Sequence, residues 1–442
     1  MTDRPQSRRD FLKTSTVAAA GAALTASLIP SNVHAAGDDV IKVGLIGCGG
    51  RGTGAADNVL HSAKNVQIVA IADVFQFRVD DCLKNLQGLA DNDDVKKLGN
   101  KVDIKDRAFV GLDAYEKVLK SDVNYVILAT PPGFRPVHLQ AAVAAGKNIF
   151  TEKPVGVDGP GIRKVLDAYE ESKKKNLAIV AGTQRRHQAG YLETMKQVHD
   201  GAIGDITALR CYWNNPGIWF RPRKELEDRG EKTTDLAFQL HNWYHFLWVC
   251  GDHICEQHVH NLDVCNWAMN GHPVKAVGGG GRHCRPQGDP QQVGNIFDVF
   301  AVDFEYPNGA HMFSMCQHIP TCEDAVSEAL IGTKGTCKAN EYKINGKSVF
   351  SRQQDKASVD PYIQEHTDLI ASIRNGKPLN ELKTVAESTL TAILGRMSTY
   401  TGRTITWDQA LNSKMDTMPS KLAWDMKIDV PAPAIPGKTR FV

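Results

Sequence analysis

The sequence predicts an α/β protein with a doubly wound parallel sheet over residues 40–154, and three observations carry that expectation. An apolar run at residues 43–46 leads straight into the glycine loop Gly47-Cys48-Gly49-Gly50-Arg51-Gly52. A second apolar run, residues 66–72, ends in Asp73, about 20 residues beyond Gly52. Strand-like and helix-like segments then alternate as far as Ile149, the pattern of βαβ units.

Residues 42–46 read as the first strand and 53–61 as the helix after the loop. Gly47, Gly49 and Gly52 form a G-x-G-x-x-G. The first glycine permits the tight turn, the second lets the backbone approach a pyrophosphate, and the third lets the helix pack on the strand. With Gly50 and Arg51, they aim free N–H groups of a helix N-terminus at phosphates. Residues 67–72 are the next strand. Asp73 at its end can accept hydrogen bonds from adenosine ribose hydroxyls and repels a 2′-phosphate. NAD is therefore favoured, and Arg78 keeps NADP in play. Residues 112–120 and 137–145 read as helices, 125–129 and 147–150 as strands.

Ligand contacts in such sheets come from the carboxyl ends of strands. Here those ends carry Thr130-Pro131-Pro132, with His138 in the helix that follows, and Glu152-Lys153-Pro154. Thr130, Pro131, Pro132, His138, Glu152 and Lys153 are candidate cofactor contacts. Lys153 follows a buried-looking strand and abuts a proline that restricts the backbone. A lysine so held can hydrogen-bond a substrate hydroxyl and share its proton. A surface lysine after a strand is the equally weighted alternative.

The 442 residues, 42% hydrophobic with a formal net charge of +2, suffice for two or three domains and lack the basic excess of a nucleic-acid binder. Ten cysteines without paired C-x-x-C spacing indicate neither a zinc knuckle nor a dense disulfide framework. Ser7-Arg8-Arg9-Asp10-Phe11-Leu12-Lys13 reads as a twin-arginine export signal. An Ala-rich apolar stretch follows, with cleavage expected after Ala35. Residues 1–35 thus form a Tat signal peptide. The Tat export machinery is a partner, and the folded protein is expected in the periplasm or otherwise exported. Beyond the signal no apolar run is long enough to span a bilayer.

Gly47-Cys48-Gly49-Gly50-Arg51-Gly52, Ala129-Thr130-Pro131-Pro132 with His138, Ala145-Gly146-Lys147 and Glu152-Lys153-Pro154 together resemble the Gfo/Idh/MocA oxidoreductase family. The resemblance extends over essentially everything after the signal. It implies an N-terminal Rossmann domain that binds NAD(P), at 40–154. It also implies a C-terminal α/β domain, at 155–430, with a large open, mostly antiparallel sheet that covers the substrate and builds a homo-oligomer interface. Lys153 would be catalytic and its peptide to Pro154 cis. Helices at 362–373 and 386–401 would return to brace the first domain, and 431–442 would be a Pro-rich tail.

In the second domain, residues 161–174 read as a helix and 178–182 as a strand leading to Gln184-Arg185-Arg186-His187. Relatives have a polar turn there near cofactor and substrate, so Arg186 and His187 become candidate substrate contacts, with Tyr244 a further one. A helix at 191–199 and a strand at 207–213 precede a polar, aromatic, Pro-rich loop at 214–232. In it, Trp219 and Arg221 are candidate sugar contacts; an ordered surface excursion is the alternative. Glu256 and His260 are four apart, so one helix would put them on one face, where a carboxylate can orient an imidazole. The family pattern is Asp-x-x-x-His, with the histidine as base. His260 matches it, and Glu256 replaces the aspartate. Its role stays open between orienting His260, touching substrate and holding a metal. His253, Cys255, Glu256, His258 and His260 are metal-ligating types. Their helical spacing keeps them from converging, so a divalent metal is left open and not predicted. Gly278-Gly279-Gly280-Gly281 reads as a flexible loop near the site, and residues 296–305 with 310–316, then 329–331 with 337–339, as β-hairpins.

The fold implies nicotinamide hydride transfer, while the signal implies a compartment with little free NAD(H). A tightly retained cofactor, recycled within each cycle, satisfies both. The sequence therefore points to an exported NAD-dependent oxidoreductase acting on a sugar or glycoside hydroxyl, whose proton Lys153 and His260 would share. A redox-neutral glycosidase working by oxidation, elimination, hydration and re-reduction is the alternative. An inactive sugar-binding or sensor protein is the second.

Overall fold

The computed structural model describes residues 39–419 and 421–442, and the export signal lies outside them. Strands β1 (Ile41–Ile46), β2 (Val66–Asp73), β3 (Lys101–Val102), β4 (Ala108–Val110), β5 (Tyr125–Leu128), β6 (Asn148–Thr151) and β7 (Ile179–Ala181) form one sheet. Their order is β3-β2-β1-β5-β6-β7, with β4 also on β2, and every pairing is parallel. Val43, Leu45, Ile68, Ile71, Tyr125 and Ile127 are buried, as continuous apolar strands covered on both faces should be. The chain leaves β1 towards β2 on one side and towards β5 on the other. That makes a switch point between β1 and β5, and a crevice at the carboxyl ends of the strands.

The parallel sheet runs past the boundary expected at residue 154. Helix Gly159–Lys174 makes one more crossover and returns the chain to β7, which pairs with β6. The strand expected at 178–182 is thus β7, the edge strand of the parallel sheet.

Nine strands form the second sheet: β8 (Ile206–Asn215), β9 (Lys275–Gly281), β10 (Val299–Glu305), β11 (His311–His318), β12 (Ala325–Gly332), β13 (Gly335–Lys338), β14 (Lys343–Ile344), β15 (Lys347–Ser348) and β16 (Ile405–Thr406). Their order is β15-β14-β13-β12-β8-β11-β10-β9-β16, antiparallel except between β8 and β11. Both expected hairpins are present, β10 with β11 and β12 with β13. Helices Val259–Met269 and Leu382–Thr401 cover one face. The other face is open and exposes Val277, Phe313 and Ile331.

Gly278 to Gly281 form part of β9, not a flexible loop. A Cβ on Gly278 would lie 2.3 Å from Thr399 Oγ1, and one on Gly280 would lie 2.1 Å from the Val299 carbonyl oxygen. These glycines let helix Leu382–Thr401 approach the sheet. The other late helix, Pro361–Arg374, braces the first domain: Thr367 Oγ1 donates to the Ser62 carbonyl at 3.0 Å, and Tyr125 Oη lies 2.7 Å from His366 Nδ1. After helix Trp407–Asn412 the described chain is neither helix nor strand, yet it is packed. Ile428 and Val430 are buried, and Asn295 Nδ2 donates to the Pro431 carbonyl at 3.2 Å. Among the described residues no helix is long and apolar enough to cross a membrane.

Candidate active site

A cleft of about 650 Å³ opens at the switch point, between the carboxyl ends of the parallel strands and the second domain. The glycine loop forms its floor. Gly47 has φ +103°, and a Cβ there would strike the Ala129–Thr130 backbone at 2.6 Å. On Gly52 a Cβ would sit 1.8 Å from the Gly47 carbonyl oxygen. On Gly49 or Gly50 it would meet nothing within 4 Å. Two glycines therefore serve the turn and helix packing, and two leave open space beside the N-terminus of helix Gly50–Ser62. This cradle fits a pyrophosphate. Asp73 lines the same cleft and braces the loop: Oδ2 accepts from the Cys48 N–H at 2.8 Å and Oδ1 from the Phe75 N–H at 3.1 Å. Burial pushes its carboxyl up from the usual range, against those hydrogen bonds. Arg78 also faces the cleft.

Thr130, Pro131, Pro132 and His138 follow β5 and line the cleft. Thr130 Oγ1 lies 3.1 Å from His138 Nδ1, and the His138 ring lies 4.3 Å from that of Tyr115. Burial, then the nearby Arg135 guanidinium, pull the His138 pKa down to about 3, so the ring is neutral. Glu152 and Lys153 follow β6. Glu152 accepts from Arg51 Nε, and Arg51 reaches Glu365 Oε1 at 3.3 Å. The Lys153–Pro154 peptide is cis.

Lys153 Nζ donates to the Glu256 backbone carbonyl at 2.6 Å and to Glu256 Oε1 at 3.2 Å. His260 lines the same cleft, its ring stacked on Trp213 with centroids 5.9 Å apart. Burial, then the charges of Lys153, Arg185 and Arg51, hold the His260 pKa well below the usual histidine range. The imidazole is therefore neutral. Glu256 and His260 do not share one helix face. Helix His253–Glu256 ends at the glutamate, and a separate helix, Val259–Met269, begins just before His260. The carboxylate partner shown is Lys153, not His260.

Trp219 and Arg221 line the cleft, with the Arg221 guanidinium 4.0 Å from the Trp219 ring centroid. Arg186 and His187 do not line it. Residues Gln184–His187 form a 3₁₀ turn that sends successive side chains in different directions. Gln184 faces the cleft. Arg186 binds Asp263 at 2.8 and 2.9 Å. His187 lies 2.6 Å from Asp368 and 3.2 Å from Glu381. Burial lowers its pKa, but the two carboxylates outweigh that and push it up to about 10. Tyr244 is buried behind the cleft, against Trp243. The histidine-rich stretch also disperses. His253 pairs with Asp252 at 3.1 Å, and His258 lies 2.7 Å from Ser314 Oγ. Among the described residues no three His, Cys, Asp or Glu side chains are placed to hold a metal ion.

Sequence reasoning missed Arg135. This buried guanidinium donates to the carbonyls of Thr130 and Glu152, so it ties together the turns after β5 and β6. Burial lowers its pKa to about 10 against the pull of Glu152 and Glu256. A signal was available: Arg135 opens helix Arg135–Ala144, where the helix dipole disfavours a cation. Glu365 and Tyr362, brought by the bracing helix, carried no such signal.

A profile described as "Oxidoreductase family, NAD-binding Rossmann fold" matches residues 41–180, and one described as "Oxidoreductase family, C-terminal alpha/beta domain" matches residues 195–401. A twin-arginine translocation signal profile matches residues 5–25, which marks the chain for Tat export. The inositol 2-dehydrogenase of Klebsiella pneumoniae is 27% identical over 233 residues, 52% of this chain and 55% of that protein. That of Pseudomonas fluorescens is 28% identical over 233 residues, with the same coverage of 52% and 55%. The match thus spans about half the length of these curated relatives. Among solved structures, scyllo-inositol dehydrogenase from Lactobacillus casei with NAD(H) and scyllo-inositol aligns with TM-score 0.60 at 19% identity, covering 84% of this chain and 100% of that one. Levoglucosan dehydrogenase with NADH and levoglucosan aligns with TM-score 0.63 at 15% identity, covering 83% and 99%. At these identities the likeness establishes the fold. With both domain profiles matched in order around a single cleft, the chain belongs to the Gfo/Idh/MocA oxidoreductase family.

Proposed function

We propose that this protein is an exported NAD-dependent oxidoreductase that acts on a secondary hydroxyl of a cyclic polyol, sugar or glycoside and keeps its nucleotide bound between turnovers. The observation that carries the reading is the meeting of Lys153, Glu256 and a neutral His260 in the cleft floored by the glycine loop. Bound NAD supplies a hydride acceptor. Lys153 orients the substrate hydroxyl through its ammonium, and His260 takes the hydroxyl proton on a ring nitrogen as the carbonyl forms. Glu256 holds Lys153 in place from the second domain. Trp219, which lines the cleft, offers an apolar surface suited to a sugar ring.

The inositol and levoglucosan relatives support a cyclic polyhydroxylated substrate. Retention is supported by the export signal, since a nucleotide lost outside the cytoplasm is not replaced. The exposed Val277, Phe313 and Ile331 on the open sheet support assembly with further copies.

Protein purified without added cofactor tests the reading. Denaturation identifies any released nucleotide. Inositols, anhydrosugars, free sugars and aryl glycosides are then added while bound NADH and leaving-group release are followed. Bound NADH that forms with one compound and disappears with a second carbonyl compound supports a retained-cofactor oxidoreductase. Steady leaving-group release without net NADH identifies the redox-neutral cleavage instead. Ligand binding with no change in nicotinamide absorbance across the panel identifies a binding protein.

A further inference from the structure

We propose that residues 221–241, backed by the strap of chain around Trp424, clamp the Asp73 end of the cleft and set the rate at which bound nucleotide leaves. The proposal rests on the NAD reading above. That end of the cleft is walled from both domains, by Phe75 and Arg78 on one side and by Arg221, Leu240 and His241 on the other.

The two sides are joined by specific contacts. Helix Gln76–Ala90 begins at this wall, and its N-cap residue, Phe75, offers no side-chain cap. A helix start leaves N–H groups that need acceptors. Glu231, from the second domain, supplies one: its Oε1 accepts from the Phe77 N–H at 3.1 Å. A carboxylate there is also favoured by the helix dipole. The Arg229 guanidinium lies 4.5 Å from the Phe77 ring centroid and 3.9 Å from the Asp81 carboxylate. His241 meets Phe75 and Phe77 edge-on, with centroids 6.1 and 6.0 Å away.

A shared apolar cluster backs these contacts. Phe75 from the first domain, Leu236 and Phe238 from the segment, and Ile428 and Val430 from the strap are buried together. Trp424 packs against the same cluster, its ring 6.3 Å from that of Phe75. A nucleotide engaged by Asp73 would lie against this wall, so parting the wall would ease its exit. The contacts bridge two domains and one strap, so they open together. Loss of any one of them therefore speeds release.

The test is a chase on the full-length protein carrying its nucleotide. Labelled NAD is loaded, excess unlabelled NAD is added, and release is timed for the wild type and for Glu231→Ala, Glu231→Gln and Trp424→Ala. Glu231→Ala is expected to speed release roughly tenfold or more, and Glu231→Gln, which keeps an acceptor oxygen, to restore much of the slow rate. Amide exchange across residues 221–241 should slow when NAD is bound and quicken in Glu231→Ala. If Trp424→Ala fails to fold, the Glu231 pair decides. Equal release rates in wild type and a folded Glu231→Ala overturn the clamp and leave the NAD reading standing. A wild type that binds neither NAD nor NADH overturns that reading, and the clamp with it.

Discussion

Lys153 Nζ sits 2.6 Å from the Glu256 backbone carbonyl and 3.2 Å from its carboxylate, so the lysine of one domain is positioned by an acidic residue of the other. Replacing Lys153 by Met removes the ammonium and keeps the stem. Turnover should fall roughly 10²–10⁴-fold, with nucleotide content unchanged. Glu256→Gln keeps the carbonyl contact and should cost less. Steady-state rates and nucleotide content check both variants, and unchanged turnover in Lys153→Met would remove the lysine from the mechanism.

As the proposed base, His260 would act in its neutral form, and its pKa is held well below the usual range. The acid limb of kcat/KM should therefore lie below about 6.5, the ordinary value for histidine. The pH profile of the wild type shows this directly. His260→Asn should lower turnover across the whole range.

Stability should depend on pH in two opposite ways. His138, at about 3, and His245, at about 4, are depressed mainly by burial. Between those values and about 6.5 the unfolded chain binds more protons, so stability is lost as pH falls through this window. His187 has the reverse sign, with its pKa at about 10. Its contribution is complete below about 6.5 and disappears as pH rises through the folded value. Melting temperatures of wild type and His187→Gln should therefore differ at pH 6 and converge above about pH 10.

Gly49→Ala and Gly52→Ala separate two functions of one loop. On Gly52 the new methyl would lie 1.8 Å from a backbone oxygen, on Gly49 it meets nothing within 4 Å. Gly52→Ala should lower stability by about 1–3 kcal/mol, as overpacking does. Gly49→Ala should leave the melting temperature of nucleotide-free protein near wild type and weaken NAD binding. Calorimetry and NAD titration of both variants distinguish the two.

Arg186→Met breaks a largely buried ion pair with Asp263. It should cost about 3–5 kcal/mol of stability with little change in KM. Arg221→Ala, at the Asp73 end of the cleft, should do the opposite, weakening nucleotide binding with a small change in melting temperature. Chemical denaturation with substrate and NAD titration tests the pair.

The glycine-loop side of the cleft was legible because its signals are local. The spacing of Gly47, Gly49 and Gly52 and the placement of Asp73 at a strand end are consequences of one βαβ unit. The side formed by the second domain was less legible for equally physical reasons. A 3₁₀ turn decides which of Gln184, Arg185, Arg186 and His187 faces the cleft, and no periodicity in four polar residues reveals it. The helix break between Glu256 and Val259 cannot be seen in spacing that would suit an unbroken helix. The four glycines at 278–281 looked like slack chain, because the helix that needs Gly278 and Gly280 small lies about a hundred residues downstream.

The contact between Phe75 and Trp424 also orders events in time. A ribosome produces the glycine loop and Asp73 early and Trp424 late. Until the strap emerges, the cluster behind the Asp73 end of the cleft lacks Trp424, Ile428 and Val430. That wall is therefore the last part of the cleft to be finished as the chain is made.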